Sequence, residues 1–151
     1  MVLRLDTRLP DLAGFQVGNV WKGHGSAICL EFGQMHQTRK FDGSSGQLQG
    51  ELSLLIEWSW RIEGRRTILC GSWSDQRLWA RAFSLMTGKT IASLAVFGRL
   101  PELDISFSNG AHLLSLMTAE GSPSWTLFDR RSGMTRWYFV EKGKIVEKHG
   151  T

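Results

Sequence analysis

Polar and apolar residues in this chain alternate more often than they recur at helical spacing, and the longest alternation is Glu51–Glu63. Leu52, Leu54, Ile56, Trp58, Trp60 and Ile62 take every second position, with Ser53, Glu57, Ser59, Arg61 and Glu63 filling most of the gaps. Strand side chains have a period of two, so this segment is predicted to be one strand with an apolar face and a mostly wet face. A run of that length needs a sheet around it.

The same signal recurs on both sides. Phe15–Trp21 and Ala27–Phe32 alternate across the turn Gly23-His24-Gly25-Ser26, with Ile28, Leu30 and Phe32 on one face and Cys29 and Glu31 on the other. Gln34–Phe41 extends a hairpin into the loop Asp42-Gly43-Ser44-Ser45-Gly46. Glu63-Gly64-Arg65-Arg66 turns the Trp-bearing strand back into Thr67–Trp73. Thr90–Phe97, Glu102–Phe107, Ala111–Thr118, Trp125–Asp129, Met134–Glu141 and Lys144–Glu147 complete the strands, and Asn109-Gly110 suits a type I′ turn. Near the N-terminus, Asp6 or Thr7 is expected to start a short helical turn that Pro10 limits.

Residues 75–87 break the alternation. Leu78, Trp79, Ala82, Phe83, Leu85 and Met86 fall at helical spacing, Ser74 or Asp75 can cap the start, and Gly88 can stop the helix. Arg77 and Arg81, four apart, share a face away from that apolar stripe.

Three landmarks occur twice in the same order. Leu12–Val17 resembles Met86–Ile91, Cys29–Gly33 resembles Asp104–Ser108, and Ser59–Glu63 resembles Ser124–Phe128. Val17 and Phe32 are 15 residues apart and Ile91 and Phe107 are 16, whereas Phe32 to Trp60 is 28 and Phe107 to Trp125 only 18. About ten extra residues in the first half are expected at the Gly/Ser loop near 42–50. The expected fold is mainly β (α+β): two similar antiparallel meanders from a duplication, packed as a roll, barrel or sandwich, with one helix near 75–87 joining them. Residues 1–151 form one domain by length, with repeat halves 1–74 and 75–151.

The pattern Gly88-x-x-Ile91, Leu103-x-Ile105-x-Phe107-x-Asn109-Gly110, Trp125-x-Leu127 resembles that of small uncharacterised bacterial β-rich domains. Some of those are immunity proteins of bacterial toxin systems. The resemblance implies an immunity-like binding role; it covers most of the chain, but its landmarks are structural and assign no functional residue.

Composition narrows the partners more than the fold. Net charge is +4 with 18 basic and 14 acidic residues interspersed, a mild tilt toward acidic partners and no nucleic-acid signature by itself. The longest basic runs are pairs, Arg39-Lys40, Arg65-Arg66 and Arg130-Arg131. The seven tryptophans serve either as core filler or as an aromatic binding surface. Two cysteines are no disulfide framework, the N-terminus lacks the apolar stretch of a signal peptide, and no run reaches the ~20 apolar residues of a membrane span, so a cytoplasmic protein with reduced thiols and no membrane partner is expected.

Chemistry is sparse. His24, Cys29, His36, Cys70, His112 and His149 show no zinc-site spacing. Gly23-His24-Gly25-Ser26 sets a histidine beside a hydroxyl without an orienting carboxylate, and no serine lies in a nucleophile elbow. Glu102 and Asp104 are expected as solvated charges on an outward face rather than an acid–base pair. Gly14-x-x-x-Gly18 and Gly121-Ser122-Pro123 lack the lysine of a phosphate loop. No metal, cofactor or catalysis is therefore expected.

What remains is a surface. Arg65, Arg66, Trp73, Arg77 and Arg81 cluster in sequence and are of the types that dominate interface hot spots. They are the candidate partner-binding residues for a protein with an acidic surface; the competing reading makes Trp73 a core residue at a strand end and the arginines solvated. A nucleic-acid-binding sheet and a small-ligand-binding barrel are the alternatives.

Overall fold

The alternating segments do form strands, but they divide between two sheets where the pattern alone shows no break. The computed structural model describes residues 8–150, so the helical turn expected at Asp6 or Thr7 lies outside the described residues. One sheet contains, in chain order, β1 (Val17–Lys22), β2 (Ile28–Phe32), β5 (Leu52–Ile56), β11 (Trp125–Asp129), β12 (Thr135–Glu141) and β13 (Lys144–Gly150), and they are neighbours in that order. The other has the order β7 (Ile68–Gly71), β6 (Trp60–Glu63), β10 (His112–Ser115), β9 (Glu102–Phe107), β8 (Ile91–Phe97). A third pair, β3 (His36–Arg39) and β4 (Ser45–Gln49), forms a separate hairpin. All pairings are antiparallel, and the sheets stay open rather than closing into a barrel. One cluster of buried side chains draws on both sheets, including Leu30, Leu54 and Leu127 from the first and Ile62, Ile105 and Leu113 from the second.

The segment Glu51–Glu63 is therefore two strands, not one. As a single strand it would be roughly 40 Å long at about 3.3 Å per residue, as long as a domain of this size is wide. Instead β5 pairs with β2 and β11, the chain crosses at Glu57–Ser59, and β6 pairs with β10 and β7. Leu52, Leu54 and Ile56 enter the core from one side and Trp60 and Ile62 from the other. Trp58, in the crossing, faces water at 58% exposure. Ser53, expected on the wet face, is buried.

The two halves match in detail. Gly14 N–H donates to Ile91 O (2.9 Å) and Gly88 N–H to Val17 O (2.8 Å); Val17 N–H donates to Lys89 O (2.9 Å) and Ile91 N–H to Phe15 O (2.8 Å). Gln16 and Thr90, equivalent residues, pair with each other where the halves meet. The register slips between Val17 and Asn19 in one half and between Ile91 and Ser93 in the other. Trp60 Nε1–H donates to Ser26 O (2.8 Å), and Trp125 Nε1–H to Pro101 O (3.0 Å). Each half thus lays three strands in one sheet and crosses to the other.

The length difference between halves lies elsewhere than at residues 42–50 alone. Phe32 and Leu52 are paired across twenty residues, whereas Phe107 and Ala111 close across four. The insertion is the whole β3–β4 arm, tipped by the fully exposed Phe41. The second half recovers part of the difference in its longer crossing at Leu116–Ser124, so landmark spacing records only the net excess.

The helix joins the halves, shorter than its apolar stripe. Asp75 Oδ1 accepts from Arg77 N–H (3.0 Å) and starts a 3₁₀ turn (Gln76–Leu78), which runs into α1 (Trp79–Ser84); Gly88 follows at φ +81°. Trp79, Ala82 and Met86 are buried, with Trp79 edge-on to Trp60 at 5.0 Å.

Candidate functional site

The surface expected at Arg65, Arg66, Trp73, Arg77 and Arg81 lies along and beyond β7, the terminal strand of the five-stranded sheet. All five side chains are exposed. Trp73 is no strand-end core residue: it stands 90% exposed, because β7 ends at Gly71 and a tight turn follows before the helix. Ile68, Leu69 and Leu78 are exposed near it in the chain. Arg77 pairs with Asp75 at 3.0 Å, while Arg65, Arg66 and Arg81 make no ion pair among the described residues.

The five residues are not one patch. Arg65 and Arg66 form the β6–β7 turn, where Gly64 N–H donates to Thr67 O (2.9 Å). Trp73 lies at the opposite end of β7, on the order of 20 Å away along an extended chain. Arg77 and Arg81 belong with Trp73, in the turn and helix that follow. Sequence adjacency joined two ends of a hairpin.

The edge at β7 is shut against strand addition. Gly71 N–H donates to Ser74 Oγ (2.9 Å) and Gly71 O accepts from Ser74 N–H (3.0 Å), so both its main-chain groups are used. The register slips between Ile62 and Glu63, leaving Leu69 as an extra residue in a bulge. Bulges and nearby cations are the means by which natural edges avoid pairing.

Other polar groups are busy holding the fold. Glu31, buried on the outer face of the six-stranded sheet, accepts from Ser53 Oγ, Gly50 N–H (3.1 Å), Trp21 Nε1–H (3.1 Å) and Cys29 Sγ (3.0 Å). Arg130 Nη1 donates to Ser53 Oγ (2.7 Å) and to Gly50 O (3.2 Å), closing the network. Burial, and next the charge of Glu31, push the Cys29 thiol far above its usual range, which favours the protonated thiol. Cys70 is buried in the core, and both cysteines are free.

The carboxylates expected as solvated charges on the five-stranded sheet have partners. Asp104 Oδ1 lies 2.7 Å from His112 Nδ1, an arrangement sequence spacing missed because eight residues separate them across a hairpin. Glu102 accepts from Ser115 Oγ (2.8 Å) and Met117 N–H (2.5 Å). The hydrogen bond from Arg131, 2.9 Å from Nε, holds Asp129 below the usual carboxylate range. Among the described residues no three of His, Cys, Asp and Glu converge as a metal site.

A groove of about 460 Å³ lies between sheet edges, lined by Leu9, Pro10, Leu94, Val96 and Ile145 together with Arg8 and Asp11. No helix among the described residues is long and apolar enough to cross a membrane. In comparisons with family models, curated proteins and solved structures, nothing matches the chain.

Proposed function

We propose that this protein acts without catalysis, by binding another protein through the surface around Trp73, and that the partner presents carboxylates to it. The observation that supports this reading is the indole of Trp73, 90% exposed and followed in the chain by the exposed Leu78, Arg77 and Arg81. A tryptophan covers about 150–250 Å² on burial, roughly 4–6 kcal/mol of gross apolar gain before association costs. Such a residue in water among arginines has the composition of an interface hot spot. The net charge of +4 steers acidic surfaces toward it and basic ones, such as a basic nuclease toxin, away.

Toxin neutralisation is the narrowest form of the proposal. It draws on the resemblance of landmark strands alone, and a large toxin gene immediately upstream would favour it. The wider proposal is tested by leaving Trp73 in place and replacing the exposed Gln76, three residues on, with a photo-reactive phenylalanine derivative in the native cell. Irradiation is expected to join the chain to one protein with an acidic surface. No crosslinked protein, together with retardation of a labelled oligonucleotide that fades steeply with salt, would replace it with nucleic-acid binding.

A further inference from the structure

We infer that the open edge of β8 is a dimerisation site, where a second copy of this chain adds its own β8 antiparallel and makes the two five-stranded sheets continuous. This face is separate from the one proposed around Trp73, because β8 and β7 are the opposite margins of that sheet.

The two large sheets have four edge strands, β1, β13, β7 and β8, and an uncovered edge is a template for pairing that folded proteins normally block. Three are blocked. β7 is shut by Gly71 and the bulge at Leu69. β1 is covered by the β3–β4 arm: Asn19 Nδ2 donates to Leu48 O (3.0 Å), and a β-carbon on Gly18 would meet the side chain of Met35. β13 carries Lys144, Glu147 and Lys148, and lysines on an edge strand oppose pairing. β8, Ile-Ala-Ser-Leu-Ala-Val-Phe, has no charged residue and no proline. Its register slip lies at its start, between Ile91 and Ser93, where Ile91 is already bonded to Gly14 and Phe15. Beyond it, residues 93–97 pair with β9 and with no other strand among the described residues.

The first half of the molecule supplies the comparison. Gln16 and Thr90 are equivalent, so Asn19, which holds the arm, corresponds to Ser93, and Lys22 corresponds to Val96. The second half has the tight turn at Asn109-Gly110 where the first has the arm, so among the described residues β8 lacks the cover that β1 has. Where β1 carries a lysine, β8 carries a valine that is 46% exposed; Phe97 beside it and Leu100 in the next turn are exposed as well. The scaffold tolerates a cation at this place and holds an apolar residue in water instead.

The edge is also self-complementary. Leu103 N–H donates to Ser115 Oγ (2.9 Å) on the β10 side, so the main chain of Val96, which faces Leu103, points away from β9. That of Leu94, two residues earlier, does likewise. Around a two-fold axis through Ala95, Leu94 of each copy faces Val96 of the other, and each such pair exchanges both N–H···O bonds. The core-side rows Ile105–Leu94 and Leu103–Val96 each gain one apolar side chain, beside the groove that Leu94, Val96 and Ile145 line. No charge meets a like charge within the pair, since Lys89 and Arg99 stand outside the strand. An acidic partner finds no cation on this strand, whereas an identical uncharged strand matches it.

Sedimentation equilibrium of the full chain over a concentration series is expected to show a reversible dimer. Val96→Lys, which copies the cation at Lys22 in the first half, is expected to weaken it roughly tenfold or more with the circular dichroism spectrum unchanged. The two Ala95 residues form a non-hydrogen-bonded pair with Cα atoms about 4.5 Å apart, within disulfide reach. Ala95→Cys is therefore expected to give a disulfide-linked dimer on mild oxidation, and Lys144→Cys on the β13 edge is not; Cys29 and Cys70 are buried. A chain that stays monomeric at every concentration overturns the inference. So does a dimer that Val96→Lys leaves intact, or one in which Ala95→Cys links no better than Lys144→Cys. Residues 1–7 lead into the groove-lining Arg8 and are the competing occupant: a dimer that forms only after their removal assigns the edge to them and overturns the second copy.

Discussion

At the scale of single residues, alternation says which way a side chain points but not what waits there. Cys29 and Glu31 share the face opposite Ile28, Leu30 and Phe32, as alternation requires. That this face is covered, and that Glu31 accepts four hydrogen bonds, needs Trp21 from one other stretch of chain and Gly50 and Ser53 from another. Glu31→Gln retains the shape of the side chain but puts an amide donor where an oxygen accepts. Trp21 Nε1–H, which has no lone pair to offer in return, then loses its acceptor. The substitution is expected to cost about 1–3 kcal/mol in urea unfolding, and most of that coupling should vanish in a Trp21→Phe background. An unchanged midpoint in Glu31→Gln would mean that the network contributes nothing to the fold.

At the scale of elements, the β3–β4 arm shows how a local turn signal understates an inserted unit. Its Gly/Ser loop is plain in sequence, yet the strands beside it, His-Gln-Thr-Arg and Ser-Gly-Gln-Leu-Gln, carry no apolar alternation because most of their side chains face water. The arm is seated by glycines. A β-carbon at Gly50 would run into the main chain of Phe32, and one at Gly18 would meet only the side chain of Met35, at 2.8 Å. Gly50→Ala is therefore expected to cost about 3 kcal/mol or more, and Gly18→Ala only about 1, because a flexible thioether gives way and a paired strand does not. Equal losses of thermal stability in the two variants would contradict this assignment. The helix teaches the converse: its apolar spacing over Leu78–Met86 is legible, but its ends follow from Asp75 and from contact with Trp60.

At the scale of the whole molecule, the two halves are each other's sheet. The crossings at Glu57–Ser59 and Leu116–Ser124 send every half into both sheets, so each buries its apolar face chiefly against the other. Residues 1–74 and 75–151 produced separately are expected to remain unfolded, and to recover a strand-rich circular dichroism spectrum with dispersed amide signals when mixed. A half that folds alone with native dispersion would overturn this view. The matched bonds at Gln16 and Thr90 are what the repeated landmarks in the sequence pointed to. They were legible because buried Val17, Phe32 and Trp60 and their counterparts Ile91, Phe107 and Trp125 hold equivalent core positions. The candidate site was legible only in part: Trp73, Arg77 and Arg81 follow one end of β7, and Arg65 and Arg66 lie at the other.

The sequence by itself determined the strand faces, the joining helix, the repeat and most of the buried residues, since each depends on the period and identity of near neighbours. The tertiary structure alone decided that Glu51–Glu63 changes sheets, that Glu31 is enclosed and that Trp58 and Trp73 are left in water. Those outcomes depend on which distant strand supplies the next hydrogen bond, and a period of two is the same whichever sheet a strand joins.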